Sequence, residues 1–242
     1  MSLYTFDVHM HTHYSYDSLL KPKQLIKAAG KVGHSAIIVT DHNTIKGGLA
    51  CERAVKDHNL DLAVYIGAEI KTELGDVIGF FLNNEIKSRQ YHEVIDEIKF
   101  QNGIVYLPHP FASYTHVKDM NLNRIEALEA YNGRNNMHAN RQALLLGKKL
   151  GLPLLGGSDT HIAYEMGTVC NLTSMDITQE DEFRKVILNG LSTIRVSPPS
   201  LPILPRFRMT QTMSWIRSGQ SERILVRVHS FLLRQTRQLI NP

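Results

Sequence analysis

Several of the 12 histidines in this chain lie in short motifs whose spacing suits metal binding. His9 and His11 are two residues apart, so an extended backbone points both rings to the same side. Asp159 and His161 repeat this spacing further along the chain. Imidazoles and carboxylates bind divalent metals and carry protons near neutral pH. The pattern therefore indicates a site for metal-dependent or acid–base chemistry.

The same residue types recur at the ends of segments that have the composition of buried strands. His42 and His109 each follow such a segment, and Glu69 lies at the end of another. In a parallel α/β barrel, the carboxyl ends of the strands form one rim, and active sites lie there. We therefore expect these side chains to converge. Asp7 has the same parity as His9, so we expect its carboxylate to orient a histidine ring.

Short apolar segments alternate with helical segments along most of the chain. Strands are expected at 3–9, 35–40, 62–70, 77–82, 103–107, 125–131, 152–156, 168–172 and 193–197. Helices are expected at 23–31, 46–58, 88–101, 137–150 and 178–188. Continuous apolar strands separated by helices are typical of βαβ units and a mostly parallel sheet. A closed or nearly closed barrel is a natural arrangement for this many units.

The overall composition is that of an ordinary globular protein. The chain has 242 residues, of which 43% are hydrophobic and 21% charged, and these values exclude disordered and collagen-like classes. No apolar run approaches the roughly 20 residues that a transmembrane helix needs. The first residues lack the pattern of a signal peptide. The two cysteines, Cys51 and Cys170, cannot build a disulfide framework, so we expect a cytoplasmic protein.

The basic balance of the chain comes from its C-terminal part. Residues 198–242 contain seven arginines and one acidic residue, Glu222. Four prolines in 198–205 suit a stiff linker, and apolar residues recur at helical spacing over 222–240. We therefore expect a barrel at 1–197, followed by a Pro-rich linker and an Arg-rich amphipathic helix. That helix can dock on the barrel, form an oligomer contact, lie on an anionic membrane surface or attract nucleic acid.

Five ordered motifs resemble those of the PHP (polymerase and histidinol phosphatase) superfamily. They are His9-Met-His11-Thr-His-Tyr-Ser-Tyr-Asp17, Thr40-Asp-His42-Asn, Gly67-Ala-Glu69, Pro108-His109-Pro110 and Gly157-Ser-Asp159-Thr-His161. The resemblance spans about residues 5–197 and implies a distorted seven-stranded (β/α) TIM-like barrel, to which this chain adds a C-terminal basic helical tail. It also implies hydrolysis of phosphate esters by a metal-activated hydroxide at a centre of two or three divalent ions.

The resemblance also implies which residues hold the ions. The implied ligands of one ion are His9, His11, Glu69 and Asp159. Glu69 would bridge to a second ion that His109 also binds. The implied ligands of a third ion are Asp17, His42 and His161. Asp76 occupies a position where the family often has a histidine, so it is a candidate ligand of the second ion. Zinc, manganese and iron all suit such ligands.

Arg134 follows the strand at 125–131 and is expected to clamp a phosphate with its planar guanidinium. Nearby, Glu129 and Asn132 are expected to be a salt-bridged strand residue and a turn residue. The expected substrate is a small phosphomonoester, a nucleotide or an oligonucleotide end. Two alternatives stay open: an amidohydrolase-type enzyme that cleaves C–N bonds, and a non-catalytic metal-binding module that acts through the basic tail.

Overall fold

The computed structural model describes residues 3–113, 115–197, 210–212, 214–217 and 219. Their strands are β1 (Tyr4–Asp7), β2 (Ala36–Val39), β3 (Ala63–Thr72), β4 (Gly75–Phe80), β5 (Ile104–Leu107), β6 (Ala127–Asn132), β7 (Leu154–Gly157), β8 (Val169–Thr173) and β9 (Thr193–Val196). Their α-helices are α1 (Pro22–Lys31), α2 (Lys46–His58), α3 (Tyr91–Phe100), α4 (Met137–Leu150) and α5 (Glu180–Leu188). Residues 210–212 and 214–217 are also helical. The linker expected at 198–205 and the helix expected at 222–240 lie outside the described residues.

All nine of these strands join one sheet, in the order β7-β6-β5-β4-β3-β2-β1-β8-β9. β1 to β3 pair in parallel, and so do β5 to β7. β4 is antiparallel to both neighbours, because only two residues connect it to β3, and β8 is antiparallel to β1 and β9. The α/β prediction is confirmed. The strand count of seven is wrong, because β8 and β9 extend the sheet beyond β1.

The sheet comes close to closing on itself between β1 and β7. Just beyond the ends of these strands, the Asp159 N–H donates a 2.8 Å hydrogen bond to the carbonyl of His9. Further back, β8 reaches β7 through a buried side chain. The Gly156 N–H donates to Asn171 Oδ1 at 2.8 Å, and Asn171 Nδ2 donates to the Gly156 carbonyl at 2.8 Å. The result is a nearly closed barrel in which the carboxyl ends of β1 and β7 lie side by side.

Both faces of the strands are buried, which explains their continuous apolar runs. Ile38 in β2 belongs to a core cluster that includes Phe183 of α5. Ile37 points to the opposite face and packs in a second cluster with Leu25 of α1. Helices on one face and a filled interior on the other are the usual arrangement of an α/β barrel. Within the described part of the chain, no helix has the length and apolar character needed to cross a bilayer.

We predict that replacing Asn171 by alanine weakens the barrel where β7 meets β8. The buried N–H and C=O of Gly156 would lose their partners, so the free energy of unfolding should fall by about 2–3 kcal/mol in urea denaturation. Asn189→Ala is the control, because the exposed Asn189 side chain bonds only the Lys185 carbonyl within its own helix end. It should cost less than about 0.5 kcal/mol, and equal losses in both variants would contradict the prediction.

Candidate metal centre

The expected ligands converge at the carboxyl ends of the parallel strands. His9 and His11 follow β1, His42 follows β2, His109 follows β5, and Asp159 and His161 follow β7. Glu69 lies within β3, and its backbone pairs with that of His42. Asp17 joins them from the loop after β1, where its carboxylate lies 3.3 Å from His161 Nε2. The structure therefore brings together residues that are scattered over about 150 positions of the sequence.

Glu69 lies at the middle of this cluster. His109 Nε2 is 2.8 Å from its Oε1 atom, and the nitrogens nearest to its Oε2 atom are His42 Nδ1 at 3.1 Å, His11 Nε2 at 3.3 Å and His9 Nε2 at 3.4 Å. Three overlapping groups of side chains each offer ligand atoms within 4.8 Å of one another. The groups are His11–His42–His161, His9–Glu69–His109 and His9–His11–Asp159. Shared members make these groups adjacent, so they suit neighbouring metal ions.

Hydrogen bonds at the Nδ1 atoms of three histidines leave their Nε2 atoms facing into the cluster. The carboxylate of Glu129 accepts from His9 Nδ1 at 2.9 Å, and the carbonyl of Asp159 accepts from His161 Nδ1 at 2.8 Å. Ser15 Oγ donates its proton to Asp41, so it accepts from His11 Nδ1 at 3.1 Å. In each neutral ring, the lone pair is therefore on Nε2, as metal ligation requires.

The donor set fits a metal cation. His161 Nε2 and Asp17 Oδ1 are buried, and neither has a hydrogen-bond partner in the described part of the chain. The two atoms are 3.3 Å apart, with no hydrogen bond between them. Buried polar atoms are almost always satisfied in native proteins. A divalent cation between a neutral imidazole and a carboxylate would satisfy both, since these are ordinary ligands of zinc, manganese and iron.

Charges within the cluster oppose the effect of burial on several pKa values. Burial raises the pKa of Glu69, but His42 lowers it well below its ordinary value. Burial lowers the pKa of His42, but Glu69 and Asp17 raise it to about 10. Burial and the neighbouring His161 lower the pKa of His11 to about 3. The cluster therefore combines ionised carboxylates with neutral and protonated imidazoles, and a bound cation would release protons from it.

Glu129 is the salt-bridged strand residue that was expected, but sequence reasoning missed that its partner is a histidine of the cluster. It is buried in β6, where it accepts from His9 Nδ1, from the His109 N–H at 2.7 Å and from Asn132 Nδ2 at 3.0 Å. The expectation that Asp7 would orient a ring is wrong. Asp7 Oδ1 instead accepts from the backbone N–H groups of His9 and Ser158, both at 3.1 Å. An acidic residue within an apolar strand was the available signal for Glu129.

Asp41 holds the loop that carries Asp17. Its buried carboxylate accepts four hydrogen bonds, two from the backbone N–H groups of Thr12 and Ser15 and two from their hydroxyls. Burial raises the pKa of Asp41, and these donors act against that rise. Ser15 Oγ also accepts from the His42 N–H at 2.9 Å. Asp41 therefore supports the cluster through the loop rather than through a ligand position.

Two of the expected ligands are among the residues with a strained backbone. His109 has φ = 23° and Asp159 has φ = 54°, values that residues with a side chain rarely adopt. Gly157 lies at the end of β7, directly before Ser158 and Asp159. Its lack of a side chain leaves room, since a Cβ atom there would collide with the Glu129 carboxylate and come within 2.5 Å of the His9 Cβ. The glycine thus permits the His9–Glu129 contact.

Asp76 is buried on β4, opposite Lys71 of β3. Burial lowers the pKa of His109, but Glu69, Glu129 and Asp76 together raise it to about 9. Among the described residues, the groups with ligand atoms within 4.8 Å of one another do not include Asp76. Asp76 therefore lies outside these groups, and its charge acts on the nearby His109.

Arg134 lies directly after β6, at the edge of the cluster. Its Nε atom is 3.4 Å from Oε1 of Glu165, and its Nη2 atom donates to Thr210 Oγ1 at 2.6 Å. Glu165 is fully buried and accepts from the His161 N–H at 2.7 Å. Sequence reasoning missed Glu165, since nothing in its loop marks it. Arg134 is thus linked to His161 through Glu165. Its positive charge is among those that lower the pKa of Asp159.

An α/β barrel with imidazoles and carboxylates at the carboxyl ends of its strands defines a metal-binding class of barrel. Comparison with protein families names the class more closely. The PHP domain model matches residues 7–187, and this chain belongs to the PHP domain family. An uncharacterized protein from Methanocaldococcus jannaschii is 36% identical over 141 residues, a match that covers 52% of this chain and 81% of that protein.

Solved structures share the fold at low sequence identity. A two-domain protein from Bacteroides vulgatus that contains a predicted PHP-like metal-dependent phosphoesterase has a TM-score of 0.68 and 19% identity, over 81% of this chain and 65% of that one. A lesion-specific endonuclease from Pyrococcus furiosus has a TM-score of 0.57 and 15% identity, over 80% of this chain and 58% of that one. This chain thus spans less than two thirds of either protein, and the likeness shows the fold alone.

We predict that Glu129→Gln weakens metal binding without unfolding the barrel. The amide keeps the size of the side chain but removes the charge beside His9 Nδ1, and losing such an outer partner lowers metal affinity by about 10–100-fold. Isothermal titration with Mn²⁺ and Zn²⁺ measures the change. Glu182→Gln is the matched control, because that carboxylate pairs with exposed Lys185 on α5. An affinity equal to that of the unmutated protein would refute the role of Glu129.

Proposed function

We propose that this protein is a metal-dependent phosphoesterase. The observation that carries the proposal is the overlap of the three ligand groups, in which His9 and His11 each belong to two. Adjacent sites of this kind suit two or three divalent ions bound side by side. Neighbouring ions are well matched to phosphate esters, because they act as Lewis acids on phosphoryl oxygens and make water a stronger nucleophile. Membership in the PHP domain family supports the same activity.

The proposed division of ligands follows the resemblance to the PHP family, and several distances within the cluster support it. We assign His9, His11, Glu69 and Asp159 to one ion. The Nε2 atom of each of these histidines lies within 3.7 Å of an oxygen of each of the two carboxylates. Glu69 and His109 serve a second ion, to which Asp76 is proposed to contribute. Asp17, His42 and His161 serve a third, supported by contacts of 3.3 and 3.5 Å to Asp17. Zinc, manganese and iron all fit this set.

The protein's own residues hold and orient the reacting groups. Glu129 keeps the His9 proton on Nδ1, so that Nε2 stays available, and the Asp159 carbonyl does the same for His161. Arg134 is proposed to contact a phosphoryl oxygen, since its positive charge lies near Asp159 and a planar guanidinium suits phosphate. His9, His11 and Glu69 are buried, and low exposure to solvent strengthens the electrostatic interactions among them.

We further propose that the substrate is a small phosphomonoester, a nucleotide or an oligonucleotide end. Tyr16 supports the nucleotide classes. Its ring stacks on that of His42 at a centroid distance of 5.0 Å and an interplanar angle of 19°, while 49% of the residue is exposed. An exposed aromatic ring beside the centre offers a surface on which a base can stack.

We propose that the barrel comprises residues 1–197, because the last strand of the described residues ends at Val196, and that the tail comprises 198–242.

We predict that His9→Ala and the nearly isosteric Asp159→Asn each abolish phosphoester hydrolysis. Each change removes a ligand atom from the cluster, so kcat/KM should fall by about a thousandfold or more while circular dichroism stays unchanged. The assay uses purified protein with added Mn²⁺ or Zn²⁺ and a panel of phosphomonoesters and phosphodiesters. His138→Ala, an exposed histidine on α4, should keep full activity.

The same panel separates the proposed activity from its alternatives. Hydrolysis of amides but not of phosphate esters would identify a C–N hydrolase. Metal binding with no turnover of either class would favour a non-catalytic module. Full phosphoesterase activity in the Asp159→Asn protein would refute the assignment of the centre.

A further inference from the structure

A short helical segment near the C-terminus contacts the candidate metal centre at two places. Residues 210–212 and 214–217 are helical, and Thr210 is buried while Arg217 is exposed. Thr210 accepts a hydrogen bond from Arg134, and Arg217 donates hydrogen bonds to the loop after β1. Each contact leads to His161 through different intervening residues.

Arg217 donates hydrogen bonds to three carbonyl groups of the loop after β1. Its Nη1 atom donates to the carbonyl of Ser18 at 2.7 Å, to that of Ser15 at 3.0 Å and to that of His13 at 3.4 Å. Three carbonyl oxygens directed at one point repel each other unless a cation lies among them. A guanidinium supplies a permanent positive charge together with N–H donors. Arg217 therefore favours the loop conformation that the structure shows.

The loop that Arg217 holds contains a proposed ligand and is tied to two others. Asp17 lies between Ser15 and Ser18, whose carbonyls bind Arg217. Ser18 Oγ reaches the carbonyl of His11 at 2.9 Å and that of His161 at 3.0 Å. Fixing the two serines on either side of Asp17 also fixes the position from which its carboxylate faces His161. A shift of this loop would separate the 3.3 Å pair formed by Asp17 Oδ1 and His161 Nε2.

The contact at Thr210 reaches His161 from its other side. Thr210 Oγ1 accepts from Arg134 Nη2 at 2.6 Å, and Arg134 Nε lies 3.4 Å from Glu165. Glu165 in turn accepts the His161 N–H at 2.7 Å. The helical segment therefore spans from the residue that supports the backbone of His161 to the loop that carries Asp17. It is placed to hold Asp17 and His161, two of the three proposed ligands of one ion, in their relative positions.

We propose that Arg217 is a positioning residue for the ion assigned to Asp17, His42 and His161. It acts through the carbonyls of residues 13–18 and has no direct contact with the ion. The inference rests on the proposed function, because it assumes that these three side chains bind metal. Its consequence is that the C-terminal segment forms part of the working site rather than a separate appendage. The ion assigned to Glu69 and His109, whose ligands do not bond to this loop, should depend least on Arg217.

The test compares Arg217→Ala and Arg217→Lys with the unmutated full-length chain. Hydrogen exchange in metal-free protein should show amides of residues 13–18 exchanging about tenfold faster in Arg217→Ala, because the loop loses its cation. Titration with Mn²⁺ should show one binding step weakened by about tenfold, and weakened more than any other step. Arg217→Lys, which restores the charge but not the planar fork, should lie between the two proteins. Arg53→Ala, an exposed arginine on α2, is the control.

The two measurements distinguish the possible failures. Unchanged exchange over residues 13–18 in Arg217→Ala would show that the guanidinium does not order the loop and would overturn the inference. Faster exchange with unchanged Mn²⁺ affinity would overturn it as well, since the loop would then move without affecting the ion. If the unmutated chain binds neither Mn²⁺ nor Zn²⁺, the proposed function itself fails. Metal binding by the unmutated chain and equally by Arg217→Ala would leave that function standing and remove only the role of Arg217.

Discussion

The burial of Glu69 among imidazoles is the interaction on which the rest of this structure depends. Only 1% of Glu69 is exposed, and an isolated charge in such a place would be too costly to keep. Nitrogens of four histidines lie within 3.4 Å of its oxygens and offset that cost. Because the Glu69 carboxylate and the histidine nitrogens lie so close together, they are well placed to bind a metal cation. The fold must therefore place the ends of several strands closely around Glu69.

The near-closure of the barrel meets this requirement. The backbone bond between Asp159 and His9 joins the first and seventh strands at the rim, so ligands from both ends of the barrel become neighbours. β8 lies between the same strands further back, where Asn171 replaces the missing backbone pairing with two side-chain bonds. The antiparallel β4 completes the wall beside Glu69. Strand order and direction thus determine which side chains meet.

Around the ligands lies a second layer that controls their orientation. Glu129 sets the proton position of His9, Asp41 orders the loop that carries Asp17, and Glu165 holds the backbone of His161. Arg217 extends this layer into the C-terminal part of the chain. Each of these groups is charged and satisfied by several donors or acceptors, which favours one arrangement over alternatives. The proposed ligands are thus held by partners that themselves make hydrogen bonds.

The sequence by itself determined the nine strands, most helix bounds and the metal-binding residue types at strand ends, because these depend on local periodicity and short motifs. The resemblance implied seven strands instead of nine, and local patterns could not show the backbone role of Asp7 or the contacts of Glu129. Tertiary structure decided those: Glu129 meets His9 across 120 residues, and Arg217 meets Ser18 across 199. Such pairs arise only when strands align and helices pack, and no local pattern encodes the distance between them.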